Sequence, residues 1–498
     1  MNRRIRQLAI GLLVCYSILF VQLNLLQVGR AEDLNADFRN TRQTVRDFNR
    51  PRGPIVTADG VVVAETVALE GEAADASTFD YQRVYPTGEL FANITGYYTL
   101  TYGSTQVEKT ENDILSGRDS RQQLQWITGL FRDEDLSGSV ELTLRNDIQE
   151  VARAALAGRE GSVVALDPRT GAVLAMYSNP TYDPNLVATH DSELAGQVLD
   201  FLNQVPGKPL LANAYQERYM PGSSFKVITT GIALEDGLIG LDSEFEDMRE
   251  WVPPQTSNPI QNYGGSVCGG DFAEVFRRSC NIPFAMMGVL LGPEKMVAGT
   301  QAWGIGEPIP IDLPRPASSF FGDVEDFEDN LPLLAIGSFG QGNTSMVPLH
   351  MAMVAATVAN GGKMMEPYVV GATYDHDGGL LDRTRPEVWQ TPISPGTAAT
   401  LRDLMVGVVQ NGTARCCMQL ANGVQAAAKT GTAQLNAEGE EERSHAWIIA
   451  FAPAEAPRVA VAVMLKGVNA EISAGTGGTL AGPVARQVLD AALMAVPS

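Results

Sequence analysis

The chain has 498 residues, 45% of them apolar and 19% charged, which gives a folded core and room for more than one domain. Its formal charge of −22 leaves no basic face for phosphates and excludes a nucleic-acid partner; an acidic body of this kind is simply soluble. Four histidines (His190, His350, His376, His445) lie scattered without metal-ligand spacing and read as surface or satisfied core residues, so no metal is expected.

The first element is hydrophobic. Arg3, Arg4 and Arg6 precede a mostly apolar run from Leu8 to Val28, which spans about 31 Å as a helix against a hydrocarbon core of about 30 Å. Residues 1–28 therefore read as a cytoplasmic tip and one transmembrane helix, with the N-terminus inside and the bulk outside the cell membrane by the positive-inside rule. A cleaved signal peptide is the rival reading, opposed by the length of the run and the lack of a small-x-small site close behind it. Gln22, Asn24 and Gln27 weaken the outer half of the span and suit a partner helix in the membrane.

Residues 29–50 form a polar stem, and residues 51–140, with Val61-Val62-Val63 and later turn signals, read as a mixed α+β pedestal. Residues 29–144 are taken as one region and 145–498 as the next. The boundary rests on a helical pattern (Ile148, Val151, Ala155, Leu156) that runs to Gly158. A hairpin follows, with a strand over 162–166, a turn through Asp167-Pro168-Arg169-Thr170-Gly171 and a strand over 172–177. The chain closes with strand-like runs over 424–434, 445–451 and 458–465. A last helix then carries Val484, Val488, Leu489 and Ala492 on one face. Gly337-x-x-Gly340-x-Gly342 lacks the βαβ context and acidic partner of a dinucleotide site, so no cofactor is expected there.

Three short motifs occur once each, in a fixed order: Ser223-Ser224-Phe225-Lys226, Ser279-Cys280-Asn281 and Lys429-Thr430-Gly431. Only seven lysines occur in the chain, and two of them fall in these motifs. Pro221-Gly222 stops the preceding segment, and Phe225, Val227, Ile228, Ile232 and Leu234 form an apolar helical run, which puts Ser223 near a helix N-terminus where negative charge is favoured. Lys226 lies one turn on, within reach of the hydroxyl. Serine needs such a base, and lysine serves only when its pKa falls. Two positive charges about 5 Å apart at an effective dielectric near 20 repel by roughly 3 kcal/mol, about two pKa units, so Lys429 plus desolvation brings Lys226 towards neutrality. Alone, Ser223 reads equally as a helix cap and Lys226 as a solvated side chain; the ordered set favours acyl transfer.

The set resembles the penicillin-binding proteins and serine β-lactamases, and its separations suit the high-molecular-mass transpeptidases. Arg52-Gly53-Pro54-Ile55, Asp59-Gly60, Arg83-Val84-Tyr85-Pro86 through Gly96-Tyr97, Gly340-Gln341-Gly342 with Pro348-Leu349, and Gly477-Gly478 with Ala481-Gly482-Pro483 extend the resemblance to class B penicillin-binding proteins, above all their actinobacterial A-type group. The resemblance implies an α+β fold in which a membrane-anchored pedestal precedes a transpeptidase domain. That domain has an antiparallel five-stranded sheet flanked by helices, with an all-helical insert carrying Ser223 and Ser279.

By the same resemblance Ser223 is the acylated nucleophile, Lys226 its general base, Ser279 a proton relay and Asn281 a holder of the substrate amide. Lys429, Thr430 and Thr432, with Gly431 between, face the substrate's terminal carboxylate, and the N–H groups of Ser223 and Thr432 form the oxyanion hole. The implied activity is a D,D-transpeptidase that cross-links peptidoglycan stem peptides delivered on a lipid-linked precursor, is acylated by β-lactams and works beside a glycan polymerase of the shape, elongation, division type. A carboxypeptidase or β-lactamase using water, or a non-catalytic penicillin sensor or scaffold, are the alternatives. No Glu-x-x-Leu-Asn motif follows Ser279-Cys280-Asn281 and the spacing of Glu328-Asp329-Asn330-Leu331 is wrong, so a long-lived acyl-enzyme is expected.

Cys15 falls in the span, which leaves Cys268, Cys280, Cys416 and Cys417 in a disulfide-permissive compartment. A Cys268–Cys280 bridge would fix the loop bearing Ser279 and Asn281, for roughly 3 kcal/mol of chain entropy. Against it stands Cys280 as a small buried apolar residue. Adjacent Cys416 and Cys417 are open to a vicinal bond, to free thiols or to cross-pairing.

Overall fold

The computed structural model describes residues 3–25, 48–71, 77–119, 121, 136–436 and 443–496. Helix α1 (Arg3–Asn24) has 22 residues, none buried, and its most apolar stretch has a mean hydropathy of 1.7. It is long and apolar enough to anchor the chain in a membrane. Gln27, the 29–47 stem and the outer end of the expected span lie outside the described residues.

The pedestal begins with β1 (Ile55–Val56) and β2 (Val62–Ala68), antiparallel and joined through the Asp59-Gly60 turn. Gly60 has φ of 82°, and the Thr57 hydroxyl donates to Asp59 at 2.6 Å. β3 (Tyr81–Val84) pairs with β2, and β4 (Ser139–Leu142) runs parallel to β1. Helix α2 (Asn146–Leu156) has Arg145 at its N-cap position, where no side-chain cap forms. Asp59 supplies the missing acceptor from the pedestal turn, taking the N–H groups of Asn146 at 2.8 Å and Asp147 at 3.2 Å.

The hairpin of β5 (Gly161–Leu166) and β6 (Val173–Asn179) follows. Helix α3 (Lys226–Glu235) is preceded by a single 3₁₀ turn, Gly222–Phe225. Next come the ribbon of β7 (Glu244–Met248) and β8 (Cys268–Asp271), then helices α4 (Phe272–Arg278), α5 (Ile282–Ala302) and α6 (Pro348–Ala359). β9 (Val370–Tyr374) and β10 (Leu380–Arg383) return to the pedestal, where β9 pairs with β4, so the six-stranded sheet runs β10-β9-β4-β1-β2-β3. Helix α7 (Pro395–Asn411), β11 (Ala427–Gln434), β12 (Ser444–Ala452), β13 (Val459–Leu465) and α8 (Gly482–Ala495) complete the chain, and the five-stranded antiparallel sheet runs β11-β12-β13-β5-β6.

Every residue of β12 and β13 is buried. Because side chains alternate between faces, both faces of the sheet are covered. Helices α2 and α8 pack on each other and on the sheet, and α6, nearly all buried, packs against β5, β12 and β13. The α+β class and the sheet flanked by terminal helices are as expected. The insert between β6 and β11 is helical around Ser223 and Ser279 but also holds the β7–β8 ribbon and a shorter one, Glu250–Trp251 with Ile260–Gln261. Short strands with exposed positions and many glycines give little alternation to read.

The pedestal motifs meet at one buried carboxylate. Arg52 and Arg83 donate through Nε to Glu108 at 2.6 and 2.7 Å, and the Tyr85 hydroxyl reaches it at 3.1 Å. Burial pushes the Glu108 pKa up, but Arg83 and Arg52 outweigh it and hold the carboxyl below its usual range.

Candidate active site

The Ser223 turn is set by close backbone packing. Gly222, with φ of 54°, donates its N–H to Gly340 O at 2.9 Å, and a Cβ there would lie 2.4 Å from Thr432 O. A Cβ on Gly431 would likewise meet Pro221 O at 2.5 Å, so glycine at both positions lets the turn rest on β11 without a gap. The Ser224 hydroxyl closes the turn on Pro221 O at 2.7 Å, and buried Phe225 stacks on Phe321. The glycine of the third motif thus has a packing reason, and Gly340 belongs to the same contact. Ser223 is half-buried at the N-terminal end of α3, and its hydroxyl makes no hydrogen bond among the described residues.

Lys226, fully buried, makes no hydrogen bond to that hydroxyl. It donates to Ser279 O, Cys280 O and Asn281 Oδ1, each at 2.8 Å, and lies 3.4 Å from Ser279 Oγ and 5.1 Å from the Phe284 ring centre. Burial first, and the Lys429 charge second, push its pKa well below that of an ordinary lysine. The three acceptors pull the other way by holding the ammonium.

Ser279 ends α4 in the left-handed region, φ 62° and ψ 41°, a conformation that costs a non-glycine residue roughly 1–2 kcal/mol and marks a functional position more often than a random one. It turns the chain so that Ser279 Oγ meets both lysines: Lys429 Nζ donates to it at 2.8 Å and Lys226 Nζ lies 3.4 Å away. Lys429 is also fully buried, donates to Thr430 O at 3.0 Å, and is pushed down to about 7 by burial. With its lone pairs facing lysines, the Ser279 hydroxyl keeps its own proton for the cleft.

Asn281 gives Oδ1 to Lys226 and donates Nδ2 to Gln261 O at 3.1 Å. Thr430 and Thr413 share a hydroxyl hydrogen bond of 2.6 Å, and Thr432 Oγ1 accepts from Gly477 N at 3.3 Å. Cys268 and Cys280, both buried, form a disulfide across 12 residues that ties β8 to the loop bearing Ser279 and Asn281. Cys416 and Cys417 are bonded to each other. Buried His350 and His445 are pushed down to about 4 by desolvation and hydrogen-bond to Ser319 and Trp303, and to Gly467. Among the described residues no group of three or more His, Cys, Asp or Glu side chains could hold a metal ion.

The structure therefore brings Lys226, Ser279, Asn281 and Lys429 into one hydrogen-bonded cluster and packs the Ser223 turn against the strand that carries Lys429 to Thr432. Thr413, Gln261 and Asn262 join them without any sequence signal, since each is a lone polar residue in a loop or, for Gln261, in a two-residue strand. A half-buried serine at a helix N-terminus beside two lysines of lowered pKa defines a serine acyl-transfer site.

Residues 161–490 match the model of the penicillin-binding protein transpeptidase domain, and residues 52–140 match that of the penicillin-binding protein A dimerisation domain. The chain belongs to the penicillin-binding protein transpeptidases. It is 38% identical to the peptidoglycan D,D-transpeptidase PbpA of Mycolicibacterium smegmatis and 37% to that of Mycobacterium tuberculosis, covering 99% and 100% of each partner's length and the same share of its own. Penicillin-binding protein A from M. tuberculosis, solved as a ceftriaxone acyl-enzyme complex, superposes with a TM-score of 0.81 at 36% identity over 90% of this chain and all of that one. The D,D-transpeptidase domain of a peptidoglycan glycosyltransferase from Eggerthella lenta gives 0.75 at 30% identity, over 90% of this chain and 99% of that one.

Proposed function

We propose that the chain is a peptidoglycan D,D-transpeptidase, acylated by β-lactams, in which Ser223 is the nucleophile. The observation that carries this is the pair of buried lysines meeting at Ser279 Oγ beside the Ser223 turn. Ser223 Oγ attacks the carbonyl carbon of the D-Ala-D-Ala bond, and its proton passes to neutral Lys226. Ser279 hands its proton to the departing amine and takes back the one held on Lys226, whose Nζ lies 3.4 Å from its Oγ, and D-Ala leaves. An amine of a neighbouring strand then attacks the ester, forms the cross-link and returns Ser223 to its hydroxyl. Backbone N–H groups of Ser223 and Thr432 hold the oxyanion, a contribution of about 3 kcal/mol per donor in acyl transfer. Asn281 holds the peptide amide, while Lys429 as the cation, with Thr430 and Thr432, receives the terminal carboxylate across Gly431.

The chain is read as 1–28 anchor, 29–144 stem and pedestal, and 145–498 transpeptidase domain, with the N-terminus in the cytoplasm and the site outside. Arg3, Arg4 and Arg6 at the head of α1 support that orientation. The lipid-linked precursor and a membrane glycan polymerase of the shape, elongation, division type are the proposed partners. The test is a donor peptide ending in D-Ala-D-Ala with an added amine: D-Ala release with transfer to the amine supports the reading, and release to water alone contradicts it.

The rate of acylation should follow a bell in pH. It rises as Lys226 loses its proton, below the usual lysine range, and falls above about 7 as Lys429 loses the charge that holds the carboxylate. Stopped-flow acylation by a chromogenic β-lactam from pH 5 to 10 measures both limbs; a rate that climbs steadily to pH 10 contradicts the assignment. The acyl-enzyme should last minutes to hours, because Lys226 faces Ser279 and the loop carbonyls and no glutamate is spaced to activate water. Many nitrocefin turnovers per second would contradict it.

A further inference from the structure

Asn281 stands at the N-cap of α5, where an asparagine side chain ordinarily accepts hydrogen bonds from the first turn. It makes no such bond. Its carbonyl oxygen is given to Lys226 and its amide nitrogen to Gln261 O, so the helix start needs another acceptor. Asn262, 3% exposed, supplies it: Asn262 Oδ1 accepts from Asn281 N at 2.8 Å and Ile282 N at 3.2 Å. Its Nδ2 donates to Met248 O at 2.9 Å and Ser266 O at 3.2 Å. Two acceptor and two donor positions are filled, the full capacity of the amide.

We infer that Asn262 is a positioning residue that caps α5 in place of Asn281 and so releases the Asn281 amide to orient Lys226. The inference rests on the proposed roles of Asn281 and Lys226. The same device appears at α2, where Asp59 of the pedestal turn caps a helix whose own N-cap residue does not. Without Asn262, the N–H groups of Asn281 and Ile282 lose their shared acceptor, the start of α5 loosens, and Asn281 Oδ1 is no longer held at 2.8 Å from Lys226. The change then falls on the acylation step and less on initial binding, because the carboxylate side of the cleft is untouched.

The test is stopped-flow acylation of the full chain by a chromogenic β-lactam, with wild type, Asn262→Ala, Asn262→Asp, Asn281→Ala and the double alanine variant. Asn262→Ala is expected to lose about 10- to 100-fold in the first-order acylation constant, with the initial binding constant within about 3-fold, as fits one buried hydrogen-bond acceptor withdrawn. Asn262→Asp keeps the two accepted N–H bonds but sets its second oxygen against Met248 O and Ser266 O, so it should recover part of that rate, with its pH profile moved upwards by the added negative charge near Lys226. The double variant should be no slower than Asn281→Ala alone, because the two residues act through one contact. Wild-type rates in Asn262→Ala, additive losses in the double variant, or failure of Asn262→Asp to recover would overturn the inference. If Asn262→Ala does not fold, the aspartate variant decides. A wild type that is never acylated sinks the transpeptidase reading instead.

Discussion

Lys226→Ala is expected to slow acylation by β-lactams about 10³-fold or more, within the 10²–10⁴ range of a lost general base. Nothing else titratable in the motif cluster can take the Ser223 proton: Lys429 is engaged with Ser279 Oγ and Thr430 O, and the histidines nearest the sheet are bonded elsewhere. The substitution also leaves Ser279 O, Cys280 O and Asn281 Oδ1 without their shared donor, so the loop bearing Ser279 loosens as the base is lost. Lys429→Ala removes a charge that binds but does not accept the proton. Its loss should be nearer 10- to 100-fold, the size of one charge-assisted hydrogen bond, and should fall mainly on initial binding. Equal losses in the two variants, or a Lys226→Ala protein acylated at the wild-type rate, would contradict the division of labour between the lysines.

Glu108→Leu is expected to cost about 3–5 kcal/mol of pedestal stability, because it strands two guanidinium groups that are 5% and 2% exposed. Glu108 is the shared anion of Arg52 and Arg83; their remaining partners are neutral, among them the Asn112 side chain, the Thr66 hydroxyl, the Tyr98 ring and the carbonyls of Glu108, Arg52 and Gly53. The penalty belongs to the uncompensated charge and not to the loss of the pair, so replacing all three residues by apolar side chains of similar volume should recover much of it. Thermal melts of wild type, the single and the triple variant separate the two causes. A single variant that melts with wild type would show that the arginines find water or another anion when Glu108 is gone.

These residues also show how far the chain could be read unaided. Arg52 and Arg83 stood out through their motifs, but Glu108 did not, because a glutamate in a short polar helix looks solvated until tertiary packing buries it. The strands of the five-stranded sheet were legible through unbroken apolar runs such as 459–465, though 424–426 precede β11 because 421–423 form a 3₁₀ turn. β9 and β10 were not legible. They join the pedestal sheet from more than two hundred residues downstream, through pairs such as Thr373 with Val140, and nothing local encodes a pairing that distant. At the site, motif order and spacing singled out Ser223, Lys226, Ser279, Asn281 and Lys429 together, whereas compartment and loop length raised the Cys268–Cys280 pairing without excluding a free Cys280 or cross-pairing, which only the fold decides. The direction of the Lys226 ammonium, towards the Ser279 loop, depends on where α4 ends and on the left-handed turn at Ser279, which no local pattern specifies.

The most direct measurement of the central claim is covalent labelling by a fluorescent penicillin, resolved on a denaturing gel, of wild type against Ser223→Ala. The Ser223 hydroxyl makes no hydrogen bond among the described residues, so its removal should leave the melting temperature unchanged within a degree or so. Wild type should give a stable labelled band, mapped to the peptide containing Ser223, and the folded alanine variant none. Undiminished labelling of Ser223→Ala, or a label mapped to Ser279, would contradict Ser223 as the nucleophile.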